Sequence, residues 1–269
     1  MSDKSGFQLS GSAAALYEEQ KVPGMFAPLA DTTLKVIEVV DDDAVLDVAC
    51  GTGILARKVR EKFGDQPRIV GVDLNEGMIA VAKGLSDPVS QSCEWIVANA
   101  EDMPFDDSMF SMVLCQQGLQ FMPDKEGVLR EMYRVLRPEG RIVITVWNGV
   151  ADFLVPIVDA LGRHVSNEVA DKAKAPFAYD GSRLLPIMSN VGFSDVSIEN
   201  LTINRTIRAT DNAIRDEIMG TAVASSVEDA GETVLQKIVQ ETSDSLSKFL
   251  QGSDFVIPQH THIIQGRSA

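Results

Sequence analysis

The chemistry in this sequence concentrates where a β-type run meets a helical one. Asp47, Ala49, Gly51 and Gly53 alternate through Val45-Leu46-Asp47-Val48-Ala49-Cys50-Gly51-Thr52-Gly53-Ile54-Leu55-Ala56. Two glycines in such a turn permit a tight bend and close approach of a ligand to the backbone. The helix that follows begins with unpaired N–H groups. Gly51, Gly53 and Ala56 also satisfy the dinucleotide fingerprint in its alanine-ending form, and Asp73 stands where an acidic residue takes ribose hydroxyls. The glycines alone therefore leave a nicotinamide cofactor open. Asp47 tilts the choice, because a carboxylate beside a pyrophosphate is unfavourable, whereas a ligand carrying ammonium and sulfonium groups rewards it. A second polar constellation, Asn99-Ala100-Glu101-Asp102-Met103-Pro104-Phe105, follows a later apolar run, and Gln116 and Gln117 follow another.

The elements that must position these residues follow from periodicity. Short apolar runs predict strands over 45–49, 68–72, 94–98, 110–115 and 141–147. Between them lie amphipathic helical stretches. One carries Leu55, Val59 and Phe63; one starts at an Asn75 cap and carries Met78, Ile79 and Ala82; one starts at an Asp124 cap. Pro138-Glu139-Gly140 reads as a turn. Strands alternating with helices imply crossover connections and a parallel sheet, and near-continuous apolar strands fit burial on both faces. After Trp147 the rhythm changes. Helices are expected over 152–169, 180–191 and 210–250, and strands over 194–205 and 255–265. The segments 1–34, 152–176 and 210–250 stand outside the βα rhythm and are expected to form a cap on a single domain spanning 1–269.

The bulk numbers set limits. The chain has 269 residues, 45% of them hydrophobic, enough for one large core. No apolar run approaches the ~18 residues of a membrane span. Residues 1–11 are polar and lack the apolar stretch of a secretion signal, so a cytoplasmic protein is expected. The formal charge of −15 repels phosphate backbones and anionic membranes, arguing against nucleic-acid and membrane partners. Cys50, Cys93 and Cys115 form no metal-like cluster and read as buried thiols. No metal is expected, and the oligomeric state is not legible.

Together these motifs resemble the class I S-adenosylmethionine (SAM)-dependent methyltransferases, in particular the small-molecule branch that includes the ubiquinone/menaquinone-biosynthesis C-methyltransferases. Asp47, Ala49, Gly51 and Gly53 stand in the family's first motif, with Ala49 in place of a glycine. Asp73 stands at the ribose-binding position, with Leu74 and Met78 where the adenosine packs. Asn99, Ala100 and Glu101 match the family's Asp-Ala-Glu step, with Asn99 where an aspartate usually accepts the adenine amino proton. Ser111 to Cys115 resemble the fourth strand, Gln116 to Phe121 match the loop bordering methionine and acceptor, and Arg130 to Gly140 match the helix-turn before the fifth strand. The resemblance is firm over 36–147, weaker over 180–205 and 254–266, and nearly absent in the cap. It implies a Rossmann-like α/β fold with a mostly parallel seven-stranded sheet in the order 3-2-1-4-5-7-6, the last strand antiparallel. It also implies SAM as cofactor and direct displacement of its methyl group onto a small-molecule acceptor.

Such a displacement needs alignment and exclusion of water more than it needs a base. The catalytic candidates are Tyr17, on a helix that covers the cofactor in similar proteins, and His260 near the last strand. Tyr17, Gln117, Phe153 and Phe177 are candidates for the acceptor pocket, and for each of the aromatics core packing is an equal reading. Two rivals stand beside methyl transfer: a methyltransferase-like SAM-binding protein without transfer activity, such as a pericyclase, an isomerase or a binding module, and a nicotinamide-dependent oxidoreductase.

Overall fold

The apolar run Ala44–Val48 (β1) is buried along its whole length, which places it at the centre of a sheet covered on both faces. The computed structural model describes residues 12–40, 42–221 and 223–269. Residues 1–11, part of the expected cap and the segment behind the cytoplasmic expectation, lie outside them. Among the described residues the chain opens with α1 (Ser12–Leu16), a π-helical segment Tyr17–Phe26 and α2 (Ala27–Thr33). Pro23 lies inside the π-helical segment, and Ala27 N–H closes a five-residue step onto the Val22 carbonyl.

From β1 the chain runs through α3 (Ile54–Phe63), β2 (Arg68–Asp73), α4 (Glu76–Gly84), α5 (Pro88–Gln91), β3 (Glu94–Val97), β4 (Phe110–Gln116), α6 (Lys125–Val135) and β5 (Leu136–Trp147). Asn75 and Asp124 cap α4 and α6 as their positions foretold. Asn75 Oδ1 accepts from Gly77 and Met78 N–H at 2.9 and 3.2 Å, and Asp124 Oδ1 accepts from Gly127 N–H at 2.8 Å. β1 pairs in parallel with β2 and β4, β2 with β3, and β4 with β5.

The expected turn at Pro138–Gly140 is instead a bulge inside β5. The register with β4 steps from Phe110 opposite Leu136 to Met112 opposite Arg141, and Glu139 takes a φ of +61°. The extra residues stay in the strand because Ser268 ties them down: its N–H donates to the Gly140 carbonyl, and its hydroxyl accepts from Gly140 N–H, each at 2.9 Å.

The remaining elements are α7 (Leu154–His164), α8 (Asn167–Lys174), α9 (Leu184–Val191), β6 (Ser194–Arg208), α10 (Asp211–Met219), α11 (Ala224–Ala230), α12 (Glu232–Leu246), β7 (Leu250–Gln251) and β8 (Asp254–Arg267). The helix expected over 152–169 is broken at Val165, because Ser166 turns extended and caps a new helix through Val169 N–H. The sheet among the described residues has eight strands in the order β3-β2-β1-β4-β5-β8-β6, with β7 joined to β8 alone. The implied order is kept, but seven strands become eight. Gly252, at a φ of +62°, turns the two-residue strand β7 back antiparallel onto β8.

The chain divides into two compact units. The first comprises 1–146, 181–201 and 262–269, and therefore includes the N-terminal helices expected to belong to a cap. The second comprises 147–180 and 202–261. Its core is built from Phe153, Ile157 and Leu161 of α7, Ile214 and Ile218 of α10, Leu235 and Ile238 of α12, and Phe255 and Ile257 of β8.

Candidate cofactor site

The carboxyl ends of β1, β2 and β4 bring the candidate residues of the first unit together. After β1 the chain leaves the sheet through Ala49 at a φ of +56° and Gly51 at +58°, and Gly53 enters α3 at +88°. Left-handed backbone costs an alanine about 1–2 kcal/mol relative to the right-handed region. Ala49 is therefore a more strained departure from glycine than one added methyl suggests. The room for that methyl comes from Gly118, where a Cβ would lie 2.5 Å from the Ala49 Cβ.

The two glycines of the turn serve different ends. A Cβ on Gly51 would meet the Tyr17 ring at 3.9 Å, an ordinary contact, so Gly51 borders open space. A Cβ on Gly53 would stand 2.1 Å from the indole of Trp95, and one on Gly71 2.5 Å from the same ring. The smallness of Gly53 is therefore taken up by Trp95 of β3, which its indole N–H anchors to the Ser90 carbonyl at 2.9 Å.

Around Gly51 lies a small cavity lined by Tyr17, Phe26, Asp47, Ala49, Cys50, Gly51, Ile54, Leu55 and Gln116. Two lining side chains, Asp47 and Gln116, carry its chemistry, and Asp73 at the end of β2 meets the lining residue Gly51. Asp47 is 1% exposed. One of its oxygens accepts from Ala56 N–H at 3.1 Å, and the other is buried with no partner among the described residues. Burial, reinforced by the charge of Asp73, pushes its carboxyl up to about 8. Gln116 donates to the Phe26 carbonyl at 3.2 Å, and its amide oxygen is likewise buried without a partner. Asp73 accepts from Gly51 N–H and Asn75 N–H, each at 2.8 Å, which aims the carboxylate from the end of β2 and ties the glycine loop to α4. Burial raises its pKa, and those two N–H donors oppose the rise.

Two unsatisfied acceptors facing one cavity are costly unless a donor arrives. A cationic ammonium with three N–H donors suits both. A ribose, whose hydroxyls donate and accept, suits the remaining lone pairs of Asp73. The residues present therefore fit SAM, with Asp47, Gly51, Asp73 and Gln116 as the candidates to hold it.

The other expected cofactor residues fall at varied depths. Leu74, 41% exposed at the end of β2, presents apolar surface. Met78 and Cys115 are buried in the core and line no part of the cavity. Asn99 is exposed, and its amide oxygen accepts from Glu101 N–H at 3.1 Å, making the turn after β3; Ala100 and Glu101 sit on that turn. The rest of the 99–105 loop is clamped from α6. Arg134 donates to the carbonyls of Phe105 and Met103, and Glu131 accepts from Met103 N–H at 2.8 Å. This clamp is the structural use of the Arg130–Arg134 motif.

Among the catalytic and acceptor candidates, Tyr17 alone lines the cavity. Burial and the nearby carboxylates push its hydroxyl far above the ordinary phenol range, so it holds its proton and is unsuited to act as a base. Glu18 and Arg57 pair at 2.6 Å and tether its helix to α3. Gln117 is engaged in loop structure: its N–H donates to the Thr145 carbonyl at 2.9 Å, and its amide oxygen accepts from Gln120 at 3.2 Å. His260 is exposed on β8, 2.9 Å from the Thr202 hydroxyl. Phe153 and Phe177 pack in the core of the second unit. Sequence reasoning missed Ile54 and Leu55 as lining residues and Trp95 as the support of the loop. For Trp95 no sequence signal exists, since its contact depends on the pairing of β3 with β2.

The strand order also decides between the nucleotide folds. The dinucleotide arrangement runs 3-2-1-4-5-6 in parallel, whereas here β8, which follows β6 in the chain, lies between β5 and β6.

Comparison with known proteins agrees. The methyltransferase domain family matches residues 46–144. The chloroplastic 2-phytyl-1,4-beta-naphthoquinone methyltransferase of Arabidopsis thaliana is 39% identical over 110 residues, 39% of this chain and 42% of that protein. The ubiquinone/menaquinone biosynthesis C-methyltransferase of Pectobacterium carotovorum subsp. carotovorum is 30% identical over 189 residues, 63% of this chain and 74% of that protein. The chain thus spans less than half of the first relative and about three quarters of the second. Among solved structures, the Haemonchus contortus phosphoethanolamine N-methyltransferase 2 in complex with SAM shares the fold, with a TM-score of 0.61 at 19% identity over 96% of this chain and 57% of that one. This chain belongs to the SAM-dependent methyltransferase family that includes the ubiquinone/menaquinone biosynthesis C-methyltransferases.

Proposed function

We propose that the chain transfers the methyl group of SAM to a small, aromatic, quinol-type acceptor, as an EC 2.1.1 enzyme. The observation that carries the cofactor half is the pair of buried, unpartnered acceptors, Asp47 Oδ1 and Gln116 Oε1, facing one cavity at the glycine loop. The relatives named for quinone substrates support the acceptor class.

When bound, SAM supplies a methyl carbon already activated by a cationic sulfur. Asp47 and Gln116 take the ammonium, Asp73 takes the ribose hydroxyls, and Leu74 covers the adenosine. Tyr17, Phe26, Ile54 and Leu55 exclude water from the methionine end. Tyr17 keeps its proton, so it positions and shields and takes no proton from the acceptor.

Calorimetric titration with S-adenosylhomocysteine, followed by its release from SAM in the presence of reduced naphthoquinones and benzoquinones, tests both halves. Micromolar binding and release with one quinol class are expected. Failure to bind S-adenosylhomocysteine sinks the cofactor assignment. Tight binding with no release across a broad acceptor panel instead favours a SAM-binding protein without transfer activity.

A further inference from the structure

The segment Tyr17–Phe26 supplies two walls of the cofactor cavity, the side chains at its two ends. At about 3.6 residues per turn, an α-helix of this length sets its first and last residues on opposite faces. The Tyr17 and Phe26 rings nevertheless lie 5.2 Å apart, tilted by 31°. The wider π-helical turn, seen in the bond from Ala27 N–H to the Val22 carbonyl, brings them onto one face. Such turns are uncommon and gather at functional sites.

The segment is fastened at one end and reaches the sheet at the other. Arg57 of α3 donates to Glu18 at 2.6 Å, and both side chains are largely buried. Glu18 Oε2 and Arg57 Nε are left without partners among the described residues, so the pair fastens the segment through a single charge-assisted bond instead of a fork. At the other end the Phe26 carbonyl accepts from the Gln116 amide at 3.2 Å, and the Tyr17–Phe26 ring contact links the two ends. A carbonyl only accepts, so Gln116 must turn its NH2 group to Phe26 and its oxygen away. That oxygen is buried without a partner among the described residues, on a side chain that lines the cavity. An amide released from Phe26 presents its NH2 group as readily as its oxygen, and an NH2 group repels an ammonium.

We infer that the Tyr17–Phe26 segment sets the polarity of the cofactor cavity: fastened through Glu18 and Arg57, it holds the Gln116 oxygen toward the ligand's ammonium, and Glu18 is thereby a positioning residue for that end of SAM. The inference rests on the proposed function for the identity of the ligand. It makes selectivity for an amino group depend on a side chain that is not among those lining the cavity.

The test is equilibrium binding at pH 8 of S-adenosylhomocysteine and of S-adenosyl-4-thiobutyrate, which lacks only the amino group, to the full chain and its variants. The wild type is expected to prefer S-adenosylhomocysteine by at least about tenfold. Affinity scales with the fraction of molecules whose segment is docked, so Glu18→Gln is expected to shrink that preference at least about fivefold. Exchange of the pair, Glu18→Arg with Arg57→Glu, is expected to restore it. Gln116→Leu lowers the preference, and adding Glu18→Gln then changes it by less than about twofold, because the segment acts through the amide. A segment that merely covers or supports the site lowers both affinities by one factor and leaves the preference intact. Arg57→Gln removes the same bond from α3 and is read in the same way, which keeps the inference refutable if Glu18→Gln does not fold. An unchanged preference in these variants, or a full effect of Glu18→Gln on top of Gln116→Leu, overturns the inference alone. A wild type that binds neither ligand overturns the proposed function and the inference with it.

Discussion

Asp47→Asn separates what the buried carboxylate does for the fold from what it does for the cofactor. Asp47 is 1% exposed, with one oxygen on Ala56 N–H and the other unpartnered among the described residues. Its carboxyl is pushed up to about 8 from an ordinary 3.8, first by burial and then by Asp73. A folded-state value above the unfolded one means that the native protein binds the proton more tightly. The stability linked to it is fully present below about pH 4 and is lost as pH rises through 8. At pH 7, about three pH units separate the solution from the unfolded value. At about 1.4 kcal/mol each, ionisation of the unfolded chain costs native stability about 4 kcal/mol. Asparagine keeps the bond to Ala56 and cannot ionise. The variant, free of cofactor, is therefore expected to be more stable than wild type by up to about 4 kcal/mol at pH 7, roughly 10 °C in melting temperature, narrowing to about 1–2 kcal/mol at pH 5. Asp73, also held above the ordinary carboxylate range, is common to both proteins and drops out of the difference.

Binding moves the opposite way, because the ligand's ammonium favours the ionised form. Wild-type affinity for S-adenosylhomocysteine is expected to rise about tenfold per pH unit from 6 to 8, with one proton released. The variant is expected to bind at least tenfold more weakly at pH 8, with a flat profile. Urea denaturation at pH 5, 7 and 8 and calorimetry over the same range measure both. A flat wild-type binding profile, together with a variant no more stable at pH 8, refutes the reasoning.

Three further substitutions probe the rest of the site. Asp73→Ala is expected to weaken S-adenosylhomocysteine binding by at least tenfold, since it removes the ribose acceptor and the partner of Gly51 and Asn75 N–H; an unchanged dissociation constant removes Asp73 from the site. Asn99→Asp is expected to bind equally or more tightly, because aspartate makes the same turn to Glu101 N–H and is the stronger acceptor; clear weakening shows that the adenine is held elsewhere. Gly53→Ala places a Cβ 2.1 Å from the Trp95 ring at a φ of +88° and is expected to lower the melting temperature by more than 5 °C. Adding Trp95→Leu should recover part of that loss, and no recovery means that the indole is not the obstacle.

Much of this architecture was legible because its causes are local. β1, β2 and β4 show in the sequence as mainly apolar runs, since they are buried along most of their length. The caps at Asn75 and Asp124 show because each side chain reaches an N–H only two or three residues away. The glycine loop and Asp73 were visible for the same reason, as residues whose types are dictated at the end of a strand. The bulge at Glu139 carries the local signature of a turn, and Ser268, from the far end of the chain, keeps those residues in the strand. β7 was missed because two residues cannot show a period.

The sequence by itself determined which residues stand at the carboxyl ends of the central strands, and hence the class of ligand, because a βα unit places its turn residues wherever it folds. Only the tertiary structure decided how each is used. Gly53 makes room for Trp95, Ala49 is held in a left-handed turn opposite Gly118, and Tyr17 is half-buried beside carboxylates that keep it protonated. Nothing in the sequence shows that atoms of Asp47 and Gln259 are left unpartnered among the described residues. Their unpartnered atoms arise when distant strands and helices close around them and no donor or acceptor arrives with them.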